Sequence, residues 1–334
     1  MKKERILYFD VIKFIAVILV FTCHFTRTLE YFGINFDFKV LPDSIFSLYS
    51  GSLGVTLFFI ISGASLMYVY EEQLDIKNFY KKRFLGIYPM FWIAFIISFF
   101  SNFYVNRGYD HSIPKWRIIF SILGCDGNAA WYVPTFYQVG EWFLSVIIML
   151  YIIFPLLRKL VNDFAWLTFI LVTAIGLFIA FNYTILLPVD CLFINRIPEF
   201  VFGMIFIKKI KKVNIYMVIP SLICLIAFSV FQFPSLNTMV RIYLIGISSF
   251  FVLVFLFSHI NWNFIKVISS FISKYCYPIF LVHHSFMLIF FRHFIGLTFT
   301  ATDIVILYFM SALLTILLSY LLTNLTDSIL SIFK

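Results

Sequence analysis

The segment from Arg5 to His24 places charged groups inside a run that is apolar enough to cross a membrane. About 20 mostly apolar residues span the hydrocarbon core of a bilayer, so the segment has the length of a transmembrane helix. It nevertheless contains Asp10, Lys13 and His24. Lipid cannot solvate such side chains, which therefore point into a helix bundle or a water-filled cavity.

Asp10, Lys13 and His24 share one face of this predicted helix. A helix turns by about 100° per residue, so nearly four turns separate Asp10 from His24 and just over three separate Lys13 from His24. Asp10 and His24 then lie about 21 Å apart along the axis, one near each side of the membrane. The functional interpretation is a polar stripe that lines a path. The structural one is an Asp10–Lys13 pair that fixes helix packing, with His24 hydrogen-bonded at the interface.

The composition is that of a membrane protein with many spans. Of 334 residues, 62% are hydrophobic and 12% are charged, whereas soluble globular chains are about 45–50% apolar and 25% charged. The basic start imitates a signal peptide, but Asp10 and Lys13 inside the apolar run favour a retained first helix. The five cysteines show no metal-ligand spacing, so neither a metal site nor a disulfide framework is expected, and a Cys125–Cys191 bridge is a weak alternative.

Hydropathy predicts an all-α, polytopic helical bundle with about ten transmembrane helices. With no long polar segment elsewhere, we expect a single membrane domain over 1–334 and no appended soluble domain. The predicted spans are 6–26, 53–70, 84–104, 142–157, 165–183, 198–208, 214–232, 240–258, 271–291 and 303–323.

The charge distribution predicts that both termini are cytoplasmic. With the N-terminus inside, the inner segments hold roughly twice as many Lys and Arg residues as the outer ones, as the positive-inside rule requires. The net charge of +9 is thus explained by topology, and nucleic acid is not expected as a partner. The longest connections, 27–52 and 105–141, both fall outside in this arrangement.

The second outer connection is rich in aromatic and acidic residues. Aromatic faces beside carboxylates suit a sugar, whose rings stack and whose hydroxyls donate hydrogen bonds; the alternative is an interfacial aromatic belt with its acids in water. The residues concerned are Tyr104, Tyr109, Trp116, Trp131, Tyr132, Phe136 and Tyr137, with Asp110, His111, Asp126 and Glu141.

Two motifs lie at the second and third spans. Gly51, Gly54 and Gly63 read as points of close helix contact, and Ser62 either lines a cavity or bonds back to its own helix. The basic cluster that includes Lys82 and Arg83 is either a positive-inside anchor or a clamp for the phosphates of an anionic cytosolic ligand.

Three further groups are candidates for a site. Glu141 and Trp142 begin the fourth span, and Arg196 and Glu199 begin the sixth, where a Glu141–Arg196 or Glu199–Arg196 pair is expected. The ninth span carries His283, followed by a second histidine. Intramembrane ionisable residues of this kind mark functional sites by default.

Taken together, these residues resemble the acyltransferase-3 family of integral membrane acyltransferases, which modify surface polysaccharides and related acceptors. The chain departs from the family pattern at Lys13, where many members carry Arg, at Gly86, where members often have a second Arg, and at Ile147, where some have Glu. The matching pieces are Arg5 with Asp10, Lys13 and His24; Gly54-Val55, Phe58-Phe59 and Ser62-Gly63; Arg83 to Tyr88-Pro89; Trp142 to Ser145 with Tyr151 and Pro155; Arg196, Phe200 and Gly203; and Tyr277-Pro278 to Leu281 with His283.

The resemblance implies an O-acyltransferase of the cell (inner) membrane. It would move an acetyl or other short acyl group from cytosolic acyl-CoA, such as acetyl-CoA, to a hydroxyl of an extracytoplasmic glycan or lipid-linked saccharide, with no permanently bound cofactor. Acyl transfer needs a base or a nucleophilic carrier, and His24 can serve as either.

The remaining roles follow from this reading. His283 and Glu141 are second-tier catalytic candidates. Asp10, Lys13, Lys82, Arg83 and Ser62 are expected along the donor site or channel, and Trp142, Arg196 and Glu199 on the acceptor side.

Two other functions also fit the residues. A transporter or flippase for a lipid-linked saccharide or another amphiphile would likewise need polar intramembrane groups, although the chain shows no repeated half-sequence. A structural partner in a polysaccharide assembly complex would need no catalytic histidine.

Overall fold

The computed structural model describes residues 4–184, 186–231, 233–259 and 262–332, and it leaves the side chain of Glu141 undescribed. Nearly all regular structure in this part of the chain is helical. The helices are α1 (Leu7–Tyr31), α2 (Ser50–Tyr70), α3 (Ile76–Asn106), α4 (Ile118–Leu123), α5 (Asp126–Ala129), α6 (Glu141–Asn182), α7 (Phe193–Ile205), α8 (Ile215–Val230), α9 (Thr238–His259), α10 (Asn263–Phe291) and α11 (Ala301–Ile332).

The prediction of a polytopic all-α membrane protein is confirmed. In the described residues, seven helices are long and apolar enough to cross a membrane. The 42-residue α6 would be about 63 Å long if it were straight, but Phe164 has non-helical φ and ψ angles and divides it into two. Its halves correspond to the predicted spans 142–157 and 165–183. The sixth and seventh predicted spans coincide with the shorter α7, extended by a π-helical turn over Phe206–Ile210, and α8.

The residues cluster into two compact units. Unit 1 comprises Met1–Val20, Asp43–Phe79 and Val146–Lys274, and unit 2 comprises Phe21–Pro42, Tyr80–Ser145 and Tyr275–Lys334. Within each unit, two short strands of two residues pair and so join segments that connect the helices. In unit 1, β2 (Ser44–Ile45) pairs antiparallel with β3 (Leu48–Tyr49); in unit 2, β1 (Asn35–Phe36) pairs parallel with β4 (Thr298–Phe299).

In unit 1, α2 and α7 approach each other backbone to backbone. A Cβ atom added at Gly63 would lie 1.9 Å from the carbonyl oxygen of Phe200, and one added at Gly203 would lie 1.9 Å from that of Ile60. Only glycine leaves room for such contacts, which supply packing energy where no hydrophobic effect drives helices together. The prediction that Gly63 is a point of close contact is therefore confirmed.

The last helix shows how the fold is adapted to lipid. Ser311, Thr315 and Ser319, spaced four residues apart, are buried, whereas Phe309 and Leu313 are largely exposed. The Ser319 hydroxyl donates to the carbonyl oxygen of Thr315 at 2.7 Å, so burial does not strand it. Small polar residues thus form the packed face and large apolar residues form the outer face.

Part of the connection after α3 folds back along that helix. Trp92 Nε1 donates to the carbonyl oxygen of Ile122 at 3.0 Å, and the Tyr88 hydroxyl donates to that of Leu123 at 3.1 Å. These carbonyls end α4, where the helix supplies no partner of its own. Because α3 continues to Asn106, the chain returns over more than about 20 Å.

This part of 105–141 therefore lies beside α3, and the prediction that the segment is an outer connection stays a prediction. Hydropathy marks the apolar helix but carries no information about the two long-range hydrogen bonds that hold α4 against α3. Asp126, expected as an acid in water in the alternative interpretation, is buried.

The α2–α7 contact predicts that Gly63→Ala is strongly unfavourable. A methyl group at this position must push the Phe200 backbone away, at an expected cost of about 1–3 kcal/mol. The thermal unfolding midpoint of the detergent-purified protein should fall accordingly.

The matched control is Gly86→Ala on α3, where an added Cβ has nothing within 4 Å. Because Gly is a poor helix former, this change should leave the free energy of unfolding equal or raise it by about 0.5–1 kcal/mol, so the midpoint should not fall. Equal midpoints for the two variants would contradict the proposed role of Gly63.

Candidate active site

Three histidine rings meet inside unit 2. The His24 ring on α1 lies 4.9 Å from that of His283 and 4.8 Å from that of His284, measured between ring centroids, and the latter two are on α10. His283 is buried, and His24 and His284 are half-buried. The structure thus brings together the two histidines that the sequence singled out, from helices more than 250 positions apart in the chain.

The hydrogen bonds of His283 define which nitrogen carries the proton. Its Nδ1 lies 3.0 Å from the carbonyl oxygen of Ile279 and 2.9 Å from that of Phe280. A carbonyl oxygen only accepts, so Nδ1 is the protonated nitrogen and, in the neutral ring, Nε2 keeps its lone pair. The backbone of α10 therefore sets both the orientation and the tautomer of this imidazole.

Aromatic side chains enclose the histidines on one side. Phe21 on α1 lies 6.5 Å from the His283 ring and 5.5 Å from the ring of Tyr308 on α11. The Tyr308 hydroxyl forms a hydrogen bond of 2.8 Å with that of Thr22, which is also buried. Such a wall excludes water and strengthens electrostatic interactions within the cluster.

Sequence reasoning did not include His284, Thr22 or Tyr308 among the candidate residues. His284 follows His283 directly, and an ionisable residue within a predicted span is itself a signal. Tyr308 gave no such signal, because one tyrosine in an apolar helix is ordinary and its partner is Thr22, 286 positions earlier in the chain.

Asp10 is held at the start of α1. Its carboxylate forms an ion pair with Arg5 and accepts a hydrogen bond of 2.6 Å from the Ser273 hydroxyl, while Arg5 Nη2 donates to the carbonyl oxygen of Ser270 at 3.1 Å. In the described residues the ion pair of Asp10 is with Arg5, so the expectation of an Asp10–Lys13 pair is wrong. Lys13 is half-buried on the same helix.

The basic cluster lies on the first turns of α3. Lys82 is exposed and Arg83 is half-buried. Within unit 2, the Tyr277 hydroxyl donates to the carbonyl oxygen of Ile87 at 2.9 Å, one turn beyond Arg83. This bond fixes the level of the cluster relative to α10, the helix that carries His283. The assignment of Lys82 and Arg83 to the donor site stays a prediction.

Arg196 and Glu199 form a buried ion pair in unit 1. It is the second of the two alternatives, Glu141–Arg196 or Glu199–Arg196, that the sequence predicted. Arg196 Nη1 lies 2.9 Å from Glu199 Oε1, and the two side chains are 0% and 1% exposed. Arg196 Nε also donates to the carbonyl oxygen of Asp190 at 2.6 Å. Removing such charges from water is costly, and these mutual contacts offset the cost. The geometry favours a packing role, and contact with an acceptor stays a prediction.

The remaining candidates have simpler surroundings. The Ser62 hydroxyl lies 3.1 Å from that of Tyr151 on α6, an interhelical contact that neither expectation for Ser62 included. Trp142 is half-buried at the start of α6, beside Phe143. The side chain of Glu141 lies outside the described part of the chain, so its catalytic role stays a prediction.

Neither metal nor disulfide chemistry is indicated by the described residues. No group of three or more His, Cys, Asp or Glu side chains among them is arranged to hold a metal ion. None of the five cysteines, including Cys125 and Cys191, is assigned to a disulfide in the described part of the chain. An imidazole nitrogen can take part in proton transfer or in nucleophilic attack.

The fold and the site define the class of protein. It is a membrane protein of many helices with a histidine cluster in its apolar interior. A family model described as an acyltransferase domain, of the acyltransferase-3 type, matches residues 6–324. The match covers nearly the whole chain, and the chain belongs to this family.

A relative with a stated activity supports this assignment. The acyltransferase MdmB of Streptomyces mycarofaciens is 25% identical over 161 residues, a stretch that covers 45% of this chain and 38% of MdmB. The chain thus matches well under half the length of that relative. No solved structure matches the chain.

The Arg196–Glu199 pair can be tested by comparing the stability of a single variant with that of a double variant. Glu199→Ala alone should lower the free energy of unfolding by about 3–5 kcal/mol, because it leaves the guanidinium of Arg196 buried without its main counter-charge. The double variant Arg196→Met/Glu199→Leu should regain most of this loss, since it removes both charges and keeps the volume. Thermal unfolding in detergent measures both.

The same double variant separates a packing role from an acceptor contact. If the pair only packs the helices, the folded double variant keeps its activity. A variant that is folded but inactive would instead support the acceptor-side assignment of Arg196 and Glu199.

Proposed function

We propose that this chain is a membrane O-acyltransferase that moves an acetyl or other short acyl group from cytosolic acyl-CoA to a hydroxyl of an extracytoplasmic glycan. The observation that carries the proposal is the contact of His24 with His283 between apolar helices of a chain that belongs to the acyltransferase-3 family. The proposed setting is the cell membrane, with both termini in the cytoplasm.

His24 acts on the acceptor or on the acyl group. As a base, it takes the proton of the acceptor hydroxyl while the oxygen bonds to the thioester carbonyl carbon. The carbon–sulfur bond then breaks and the CoA thiolate receives the proton from the imidazolium. As a carrier, its nitrogen bonds to the acyl carbon, the carbon–sulfur bond breaks, and the CoA thiolate takes the proton that the acylated ring loses. The acceptor oxygen then bonds to the acyl carbon and displaces the imidazole, which takes up the hydroxyl proton.

His283 serves as an orienting group in either route. Because its Nδ1–H is directed to the α10 carbonyls, Nε2 is the nitrogen of this ring that can accept a hydrogen bond, and the ring lies 4.9 Å from that of His24. Because the backbone holds the His283 ring, its accepting nitrogen can fix the orientation of the His24 ring, and it does so without adding a charge. The proposal therefore gives His24 the reacting role and His283 the positioning role.

The spacing along the bundle suits a donor with a long arm. The hydrogen bond places Tyr277 at the level of Ile87. Ile87 follows Arg83 by four residues on α3, and Tyr277 precedes His283 by six residues on α10. At about 1.5 Å per residue, Arg83 and His283 are separated by about 15 Å along the helix axes. Arg83 with Lys82 would hold the CoA phosphates, and the pantetheine arm would extend the thioester toward His24.

The first experiment measures transfer of radiolabelled acetyl from acetyl-CoA to endogenous glycan in isolated membranes. His24→Ala should lower the rate by about 10²–10⁴-fold, the usual contribution of a positioned base. His293→Ala is the matched control, because His293 is exposed in the connection after α10. Its rate should equal that of the wild type at the same membrane level.

Unchanged labelling in His24→Ala would remove His24 from the mechanism. Absence of label in the wild type with acetyl-CoA and with longer acyl-CoAs, together with a loss of lipid-linked precursor export when the protein is removed, would replace the acyltransferase by a transporter.

The donor site generates a second prediction, at Gly86. The position is exposed, one turn after Arg83, with space for a side chain. Gly86→Arg adds a second guanidinium and should lower the KM for acyl-CoA by about three- to tenfold, with little change in kcat. Gly86→Ala improves the helix without adding charge and should leave the KM unchanged. Equal KM values for the two variants would contradict a phosphate site at Arg83.

A further inference from the structure

Unit 2 contains a cleft that the proposed mechanism does not use. Its volume is about 390 Å³, within the range of about 300–1,000 Å³ that is usual for small-molecule sites. The end of α3 forms one wall, and the connection that follows it forms the other. Among the lining residues are Asn102, Arg107, Tyr109, Asp110, His111 and Gln138.

One wall of the cleft is aromatic. The rings of Tyr109 and His111 lie 4.2 Å apart, and Tyr109 also packs 6.2 Å from the buried Phe136. The contact with Phe136 holds the Tyr109 ring although the connection runs along the surface. A fixed aromatic ring is a surface on which a ring of C–H groups can stack.

The polar groups of the cleft are mixed donors and acceptors with almost no net charge. Asn102 Nδ2 donates to Gln138 Oε1 at 2.6 Å, so each amide retains hydrogen-bonding capacity for a ligand. The Arg107 guanidinium lies 5.2 Å from the ring of Tyr104, and the Asp110 carboxylate supplies the opposite charge. Hydrogen bonds from Ser112, through its side chain and its backbone N–H, hold the pKa of Asp110 below its usual range.

This balance decides between classes of ligand. The polyphosphate of a CoA donor would require an excess of cations, which one arginine and one carboxylate in the same cleft do not supply. A purely apolar chain would leave the remaining hydrogen-bonding capacity of the amides and the carboxylate unused. A neutral ring with several hydroxyls can stack on Tyr109 while its hydroxyls donate to Asp110 and exchange hydrogen bonds with Asn102 and Gln138.

The cleft is joined directly to the helix that carries the histidines. The hydroxyl of Ser285, the residue after His284, donates to the backbone carbonyl oxygen of Gln138 at 2.7 Å. Directly after the end of α10, Arg292 Nη1 donates to Oδ1 of Asn106, the last residue of α3, at 2.9 Å. A group bound in the cleft is therefore held at a fixed position relative to His283 and His284.

We propose that this cleft is a saccharide subsite, in which one sugar ring of the acceptor stacks on Tyr109 and is hydrogen-bonded by Asp110, Asn102 and Gln138. The proposal rests on the proposed function, because it assigns the cleft to the acceptor of that reaction. It makes Tyr109 and Asp110 determinants of acceptor binding and leaves the donor and the reacting imidazole to other residues.

The test is a direct binding measurement on the full chain in detergent micelles. The probe is the oligosaccharide fraction released by mild acid from the envelope of the cells that make this protein, and saturation-transfer difference NMR gives its dissociation constant. Tyr109→Ala should weaken binding about fivefold through loss of stacking. Asp110→Asn should weaken it about tenfold through loss of a charged acceptor, while its side-chain oxygen can still accept from the Ser112 N–H.

Tyr216→Ala is the matched control, since Tyr216 is a tyrosine at the start of α8 that is 81% exposed and lies outside the cleft. Wild-type affinity in this control, with weakened binding in the two cleft variants, supports the subsite. No saturation transfer in the wild type, equal affinity in all variants, or displacement of the oligosaccharide by coenzyme A alone would overturn it.

Acetyl transfer measured on the same preparations separates this proposal from the proposed function. Binding that depends on Tyr109 and Asp110 without any acetyl transfer leaves the subsite standing and removes the acyltransferase. Transfer whose KM for the oligosaccharide is the same in wild type, Tyr109→Ala and Asp110→Asn keeps the acyltransferase and removes the subsite.

Discussion

The structure depends on one constraint, which is that polar side chains enclosed among apolar helices must find their partners within the protein. Hydrocarbon offers no hydrogen bonds, so each buried charge or hydroxyl would otherwise cost several kcal/mol. Asp10 meets Arg5 and Ser273, and Arg196 meets Glu199. In unit 2 the same requirement directs the Nδ1–H of His283 to the backbone of its own helix, which makes Nε2 the accepting nitrogen of that ring.

Close backbone contact is the second element of the design. Lipid tails are as apolar as the core, so helices associate through packing and hydrogen bonding rather than through exclusion of water. Gly63 and Gly203 let α2 and α7 touch through their main chains. In unit 2, hydrogen bonds also hold helices together. The hydroxyl of Tyr88 and the indole N–H of Trp92, both on α3, donate to carbonyl oxygens in the last turn of α4. The chain that returns from that turn forms part of the cleft.

These features give the proposed reaction a defined direction within unit 2. Cations lie on the first turns of α3, the histidines lie about 15 Å further along the bundle, and the cleft lies near the end of α3. An anionic donor and a neutral acceptor would thus approach the imidazoles from different levels. The family assignment agrees with acyl transfer, and the acyl group and the acceptor are proposals that the transfer and binding measurements test.

Composition and periodicity alone determined the fold class, because apolar runs of span length have no other stable arrangement than helices in a membrane. They also identified His24, His283, Gly63 and the Arg196–Glu199 pair, since ionisable or very small residues stand out within apolar runs. Only the tertiary structure decided which groups meet. The pairing of Asp10 with Arg5, the joining of His24 to His284 and the return of α4 along α3 depend on contacts between segments distant in sequence or on the rotamer of one side chain. Local pattern cannot encode them, because side-chain partners are chosen by three-dimensional packing.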